Sequence, residues 1–447
     1  MNIYRNITLL LGGLLPCLAV ATSTSVTHEF SLENGLKVLV REDHRAPVVT
    51  SQLWLKVGSS HELPGQSGVS HALEHMLYKG SSKTCPGEAS AILARLGASE
   101  NAFTNKDFTT YSQTMPPHRI NVAFELMADL ITTAHLRAED FSNELEVIKQ
   151  ERREYTDDEP LGLAMERLHS IAFPASPYAT PVIGWMHDLQ RMNTTRLRQW
   201  YQDWYAPNNA TLVIVGDVTV VQIKPLVQRY FGAIARRAVP EAPLPLELAE
   251  PGERKIVLHQ PVHAPSLLMT FNVPSQTTTT DLRTVHALRL LDILLAGSNG
   301  SRLKKQLLLT EQLFSEITSG YNSLTRGDSL LTISAQLHGK QPSSLDQAQA
   351  RVWQLLDELK TTPPTSDELE RARTLLIANK VYEQDSIESL AAHMGLLESI
   401  GLSWRSMEQD LNELNKVTAE DIQQAANTYL TRQRLSVAYV QQEQTND

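Results

Sequence analysis

The stretch His71-Ala72-Leu73-Glu74-His75 decides how the rest of the chain is interpreted. In a helix, residues four positions apart lie on the same face, so His71 and His75 can present two imidazole nitrogens to one ion. Glu74 can reach a water beside that ion without binding the ion itself. Two neutral imidazoles suit Zn2+, and a catalytic zinc site needs a third protein ligand and one open position. The pattern is an inverted zincin signature with the carboxylate as general base. The alternative is an amphipathic helix that carries two histidines by chance.

Composition and charge place the chain among globular proteins. It has 447 residues, of which 42% are hydrophobic and 20% charged, and this length suits two or three domains with large cores. The formal net charge is −10, with both signs spread along the chain. No basic run would follow a phosphate backbone, so we expect no nucleic-acid partner. Of the two cysteines, Cys17 falls in a segment that we expect to be removed, so no intrachain disulfide is expected for Cys85.

Residues 1–21 have the features of an export signal. Arg5 is the only charged residue in this segment, an apolar run follows it, and Ala19-Val20-Ala21 has the form of a cleavage site. We expect the mature chain to begin at Thr22 and to be periplasmic or secreted. The apolar run is too short and too interrupted by glycine and proline to span a membrane, so no stable span is expected. A mitochondrial transit peptide, the alternative, would be richer in arginine.

Local patterns around the histidine pair predict both strands and helices. Apolar and polar residues alternate on both sides of Asn34-Gly35, which predicts a β-hairpin over residues 28–44. A strand over 48–57 and a loop then lead to the helix with the two histidines, with Ser67 or Ser70 as its N-cap. Further helical patterns cover residues 122–134, 142–155 and 185–205.

The order of predicted elements recurs after a proline-rich segment. Residues 236–254 carry four prolines and little periodicity, which is typical of an extended linker. We therefore predict an α+β fold of two similar halves, each with a mostly antiparallel sheet covered by helices, which form a clam-like pair. His286-Ala287-Leu288-Arg289-Leu290 repeats the start of the histidine motif but lacks its glutamate and second histidine. The predicted domains are 1–21 (export signal), 22–235 (metal-binding half), 236–254 (linker) and 255–447 (half without the metal motif).

A third metal ligand is expected on another element. The predicted helix over 142–155 offers Glu144, Glu146, Glu151 and Glu154. Glu144 and Glu151 are two helical turns apart and share a face. The alternative is that all four form a solvated charged face. The spacing alone leaves the choice among the four open.

The histidine motif and its surroundings resemble the pitrilysin-type (M16) inverzincin peptidases. The resemblance extends along the mature chain, through Gly58-Ser59-Ser60-His61-Glu62, residues 68–80, Asn101-Ala102-Phe103-Thr104 with Tyr111, the charged helix of Glu144 and Glu151, and Tyr205-Ala206-Pro207-Asn208-Asn209 before Gly216-Asp217. The size resembles the short, two-half branch that includes mitochondrial processing peptidase and bacterial periplasmic homologues.

The resemblance implies roles for particular residues. It selects Glu151 as the third ligand of one Zn2+ per chain, with His71 and His75, and Glu144 as a residue that supports the ligands from behind. It implies that Glu74 takes a proton from water during hydrolysis of a peptide substrate. By motif match, the edge strand that would bind the peptide contains Asn101, Ala102 and Phe103. The alternative is that this segment is a covered core strand.

The second half departs from the pattern of active family members. Those members carry an arginine and, seven residues later, a tyrosine that hold the substrate and the oxyanion, whereas this chain has Leu308 and Ser315 at the matching positions. Arg302 and Tyr321 lie nearby but outside the pattern. Because leucine cannot donate to an oxyanion, we predict that the chain is the metal-bearing subunit of a heterodimer whose sister subunit supplies the arginine and tyrosine. The alternative is a non-catalytic binding or assembly subunit that retains the metal site.

Overall fold

The computed structural model describes residues 26–339 and 344–443, and in this part of the chain the strands form two sheets. The predicted export signal, 1–21, lies outside the described residues. The strands of the first sheet are β1 Thr27–Ser31, β2 Lys37–Glu42, β3 Val49–Leu55, β4 Ser99–Thr104, β5 Thr109–Met115 and β6 Ala210–Gly216. Those of the second are β7 Arg254–Gln260, β8 Ser266–Val273, β9 Phe314–Tyr321, β10 Ser329–Leu337 and β11 Leu435–Gln442.

Helices cover both sheets. The first half contains α1 Val69–Leu77, α2 Glu88–Arg95, α3 Ile120–Thr133, α4 Ala138–Arg152, α5 Pro160–Ala172, α6 Met186–Leu189, α7 Thr194–Trp204 and α8 Val220–Phe231. The second contains α9 Leu282–Ala296, α10 Leu345–Thr361, α11 Ser366–Glu383, α12 Ile387–Ser399, α13 Ser406–Asn415 and α14 Ala419–Tyr429. Between α8 and β7, residues 235–253 contain no helix or strand and overlap the predicted linker.

The two sheets have the same topology, which confirms the predicted pair of α+β halves. The first has the order β1-β2-β6-β3-β5-β4, and the second has β7-β11-β8-β10-β9. Apart from β1, each strand of the first sheet has a counterpart in the second. Among the described strands, each sheet has a single parallel pair, and the two pairs are equivalent: β2 with β6 and β7 with β11. The helix α9, which carries the His286 motif, lies between β8 and β9 in the chain, as α1 lies between β3 and β4.

Each half contributes one helix to the other half's sheet. The helix α12 packs on β3 and β6 of the first sheet, where Leu390 and Met394 are buried against Trp54 and Val213. Gly395 makes this close contact possible, because a Cβ there would lie 2.2 Å from the Trp54 ring. In the equivalent exchange, α5 packs on β7, β8 and β11 of the second sheet. The halves are therefore interlocked rather than simply adjacent.

Two local predictions were wrong. The N-cap of α1 is Gly68, with φ of 85°, rather than Ser67 or Ser70. A Cβ at Gly68 would lie 2.6 Å from the Ile183 carbonyl oxygen, so only glycine fits. The Glu62 carboxylate accepts the backbone N–H groups of Gly68 (2.7 Å) and Ser70 (2.8 Å), as a capping side chain would.

The helix predicted over 185–205 is two helices, α6 and α7. Asn193 separates them, because its side chain accepts the backbone N–H of Arg196 at 3.1 Å and so starts α7 as an N-cap. The predicted helix over 142–155 begins earlier, at Ala138, and continues after Arg152 as a π-helical segment, Arg153–Asp157.

Candidate metal centre

Two helices bring three potential ligands together. His71 and His75 lie one turn apart on α1, with ring centroids 4.6 Å apart. Glu151 on α4 directs Oε2 between them, 3.5 Å from Nε2 of His75 and 3.8 Å from Nε2 of His71. Among the described residues, these three form the group of His, Cys, Asp and Glu side chains whose ligand atoms all lie within 4.8 Å of one another.

The donor set fits zinc. Bond lengths in zinc sites place tetrahedral ligand atoms roughly 3.3 Å apart, so the observed separations of 3.5 and 3.8 Å need only a small contraction. Two imidazoles and one carboxylate are a donor set found in catalytic zinc sites with a fourth position open. The residues of this chain that could hold the ion are therefore His71, His75 and Glu151.

Two of the three side chains, His71 and Glu151, already have the protonation state that binds a cation, whereas His75 would have to lose a proton. Burial lowers the pKa of His71 to about 4, helped by the nearby His75 ring, so His71 is a neutral imidazole. Burial also disfavours the charged form of His75, but hydrogen bonds to Glu151 and Glu144 outweigh it and raise the His75 pKa. The hydrogen bond with His75 lowers the pKa of Glu151, which keeps this carboxylate ionised.

Glu144 supports the centre from behind. It is buried on α4, and its Oε1 lies 2.9 Å from Nδ1 of His75. Its other oxygen, Oε2, lies 2.5 Å from the Lys79 ammonium. The hydrogen bond between Glu144 and Nδ1 of His75 directs Nε2 of His75 toward Glu151. His71 differs, because its Nδ1 is buried without a hydrogen-bond partner among the described residues.

The other two glutamates considered from the sequence lie outside the centre. Glu146 pairs with Lys149 at 2.8 Å on the exposed face of α4. Glu154 is exposed and accepts a hydrogen bond from Gln150 at 3.0 Å. The spacing alone left four glutamates as candidates for the third ligand. In the structure, Glu151 faces the two histidines, Glu144 contacts His75 from behind, and Glu146 and Glu154 lie outside the centre.

Glu74 lies beside the centre and contacts the end of the edge strand. Thr104, the last residue of β4, donates its hydroxyl to Oε2 of Glu74 at 2.5 Å. Burial raises the pKa of Glu74, while the Thr104 hydrogen bond opposes this rise. A carboxylate with a raised pKa is better able to accept a proton and to release it again near neutral pH. The role of Thr104 was not predictable from the sequence, because its contact with Glu74 depends on strand register.

A cavity of about 1000 Å3 opens in front of the centre. His71, Glu74, His75 and Glu151 line one wall together with residues of the first half. The opposite wall comes from β9, β10 and the loop between them, in the second half. A cavity of this size holds a short peptide segment rather than a folded domain.

Of the predicted peptide-binding residues, Ala102 and Phe103 line the cavity. Their strand, β4, is the outermost strand of the first sheet, so the alternative of a covered core strand is wrong. Asn101 is exposed on the same strand, and the Phe103 side chain is 54% exposed.

The residues near the missing arginine and tyrosine positions are engaged elsewhere. Arg302 forms two hydrogen bonds of 2.9 Å to Glu368, outside the cavity wall. Tyr321 lines the cavity, but its hydroxyl donates to the Pro274 carbonyl oxygen at 2.6 Å. Leu308 packs against the second core, and Ser315 is exposed on β9.

The fold and the centre define a class of two-half proteins that carry an inverted zincin motif on one half. A family model described as Insulinase (Peptidase family M16) matches residues 37–184, and one described as Peptidase M16 inactive domain matches residues 191–376. The chain belongs to the M16 family of peptidases.

Individual relatives agree with this assignment. The chain is 28% identical to the zinc protease PqqE of Helicobacter pylori over 367 residues. This match covers 81% of each of the two chains. A solved protease from Helicobacter pylori matches with a TM-score of 0.87 at 24% identity, over 93% of this chain and 99% of that chain. The solved first half of the periplasmic protease PqqL from Escherichia coli matches with a TM-score of 0.77 at 17% identity, over 93% of this chain and 92% of that chain.

Proposed function

We propose that this protein is a zinc-dependent endopeptidase that binds one Zn2+ through His71, His75 and Glu151. The observation that carries the proposal is the convergence of these three side chains, with Glu74 beside them, on a cavity of peptide size. Relatives named zinc proteases support the same chemistry.

The residues of the chain divide the work. Bound zinc supplies a Lewis acid that polarises the scissile carbonyl and acidifies a water molecule. Glu74 accepts the proton of that water and passes it to the leaving amine, and the Thr104 hydroxyl holds the carboxylate in place. Glu144 and Lys79 keep the His75 ring oriented.

Replacement of the base tests this division. We expect Glu74→Gln to retain one zinc per chain while peptide cleavage falls by roughly 10^2- to 10^4-fold, the usual contribution of a general base. Glu154→Gln, which changes an exposed carboxylate near α4, is the matched control and retains full activity. Zinc content is measured by atomic emission and cleavage with quenched fluorescent peptides. Full turnover by the Glu74 variant would refute the proposed role.

The proposed substrate is an extended peptide that pairs with β4. An outermost strand offers unpaired backbone groups, and a peptide that adds to it passes Thr104 and Glu74. Asn101, Ala102 and Phe103 are the residues we assign to this contact. We expect Phe103→Ala to raise KM more than it lowers kcat, because the ring touches the substrate away from the reacting bond.

We also propose that the active form is a heterodimer. No arginine lines the described part of the cavity, and the Tyr321 hydroxyl is engaged by Pro274. A sister M16-like subunit would supply the arginine and tyrosine that stabilise the oxyanion. The natural candidate is a similar chain from a neighbouring reading frame that has the arginine and tyrosine but lacks H-x-x-E-H. Equal activity of this chain alone and of the mixture would argue against the heterodimer.

The second candidate, a binding or assembly subunit that retains the metal, is favoured by the same lack of an arginine. It predicts zinc binding without cleavage, alone or with the sister chain. For localisation we propose the periplasm, on the basis of the signal-like residues 1–21 and the likeness to a periplasmic protease. No helix among the described residues has the length and apolar character needed to cross a membrane. N-terminal sequencing of the mature protein tests the proposed cleavage before Thr22.

A further inference from the structure

Lys106 has an unusual position in the cavity wall. It lies in the short turn between β4 and β5, two residues after Thr104. Among the described residues that line the cavity, Lys106 is the only lysine or arginine. The cavity is otherwise lined by apolar and neutral polar side chains, by the residues of the metal centre, and by Asp107 and Asp328.

The Lys106 ammonium has few partners. It donates to the Tyr178 carbonyl oxygen, and it lies 5.4 Å from the Phe173 ring centroid and 5.2 Å from that of Tyr178. No carboxylate of the described residues lies within ion-pair distance of it. An ammonium has three N–H donors, so two are left for another acceptor. Burial lowers the pKa of Lys106 to about 8, which an anionic partner would reverse.

The two aspartates of the wall are bound by other donors, although the charge of Asp107 raises the pKa of the neighbouring Lys106. Asp107 accepts hydrogen bonds from the Ser60 hydroxyl (3.1 Å), the Tyr178 hydroxyl (2.5 Å) and the backbone N–H of Arg326 (3.0 Å). Asp328 accepts the backbone N–H of Glu247 at 2.8 Å. These bonds hold the two halves and the linker together around the cavity, and within the described residues neither aspartate forms a direct ion pair with Lys106.

We propose that Lys106 is a specificity residue that binds a carboxylate of the peptide substrate in the subsite just beyond the end of β4. The inference rests on the proposed peptidase function and adds the chemistry of the preferred substrate. A peptide that follows β4 past Glu74 and Thr104 next meets the turn that carries Lys106. A charge-assisted hydrogen bond in this largely apolar site is stronger than the same bond in water.

A substrate carboxylate can be the C-terminus of a short peptide or an aspartate or glutamate side chain. Three labelled peptides of otherwise equal sequence separate the sources: one with a free C-terminus, one amidated, and one amidated with a single glutamate moved through successive positions. Their binding is measured by fluorescence anisotropy to the zinc-loaded Glu74→Gln protein, which does not require turnover.

We expect one carboxylate peptide to bind about tenfold more tightly than the neutral peptide, as for a hydrogen bond to a charged group. In Lys106→Met and Lys106→Gln, measured in the same background, this ratio falls toward one, while Lys106→Arg retains part of it. Lys224→Met is the matched control, because Lys224 also lies over an aromatic ring, that of Phe30 at 5.5 Å, but on the exposed surface. If one neutral variant does not fold, the other decides.

Equal binding of all three peptides would overturn the proposal, as would a preference that survives both neutral replacements. Kinetics separate this failure from failure of the proposed function. Cleavage of the neutral peptide by the wild-type protein, with or without its sister chain, tests the peptidase alone. The carboxylate preference in the inactive background tests Lys106 alone. In the active protein, replacement of Lys106 should raise KM for the carboxylate peptide and leave kcat nearly unchanged.

Discussion

The hydrogen bond between Glu144 and His75 provides the sharpest test of the metal centre. The Glu144 carboxylate accepts from two donors at once, Nδ1 of His75 at 2.9 Å and the Lys79 ammonium at 2.5 Å. Glutamine has the same shape but only one acceptor oxygen. If that oxygen faces His75, the amide NH2 group faces the ammonium, and in the flipped orientation it faces the imidazole N–H. Glu144→Gln therefore loses one of the two contacts in either orientation.

The expected result is weaker zinc binding with the fold retained. Loss of such a supporting partner typically weakens metal affinity about 10- to 100-fold, which corresponds to about 1.4–2.7 kcal/mol. The assay is competition for zinc against a chromogenic chelator. The control is Glu146→Gln on the same helix, because Glu146 is solvent-exposed and pairs with Lys149 away from the metal centre. An unchanged zinc affinity in the Glu144 variant would refute the idea that this contact orients the ligand.

Further predictions concern helix packing, pH and metal removal. Gly395→Ala places a methyl group 2.2 Å from atoms of the Trp54 ring and should lower the free energy of unfolding by about 1–3 kcal/mol in urea titrations. Gly300→Ala is the control and should leave this free energy unchanged, because its methyl group would lie at an ordinary contact distance of 3.8 Å from Ser298 Oγ. Below the raised pKa of His75, zinc affinity should weaken about tenfold for each pH unit, because zinc must displace the proton of His75. His71 contributes no proton, because its pKa of about 4 leaves it already neutral. Calorimetry in buffers of different ionisation enthalpy counts the protons, and a count of two would contradict this assignment. Zinc at a thousand times its Kd should stabilise the fold by about 4 kcal/mol, so a chelator should lower the melting temperature by several degrees; an unchanged melting temperature would mean that the centre is empty in the purified protein.

The sequence predicted features that depend on local spacing. The hairpin around Asn34-Gly35 and the shared face of His71 and His75 follow from backbone periods of two and 3.6 residues, and the structure contains both. The two-half organisation was also predicted correctly, because the order of elements repeats along the chain. The third ligand was not predictable from spacing, which left four glutamates as candidates. Only the family resemblance selected Glu151.

Features that depend on contacts between distant segments were not predictable. The N-cap of α1 is a glycine because the Ile183 carbonyl approaches it, and a glutamate six residues earlier satisfies the N–H groups that a serine was expected to bind. The contact of Thr104 with Glu74 requires the register of β4 beside α1. The position of Lys106 inside a cavity formed by both halves is likewise a result of tertiary packing.

The exchange of α5 and α12 has a consequence for dissecting this protein. Each sheet is covered by a helix from the other half of the chain. Neither half alone can therefore bury the apolar face of its sheet. Expression of the histidine-bearing part by itself would expose Trp54, Leu39 and their neighbours and would favour aggregation. Conversely, a proteolytic nick between residues 235 and 253 should leave the two pieces associated, because each fills a gap in the other.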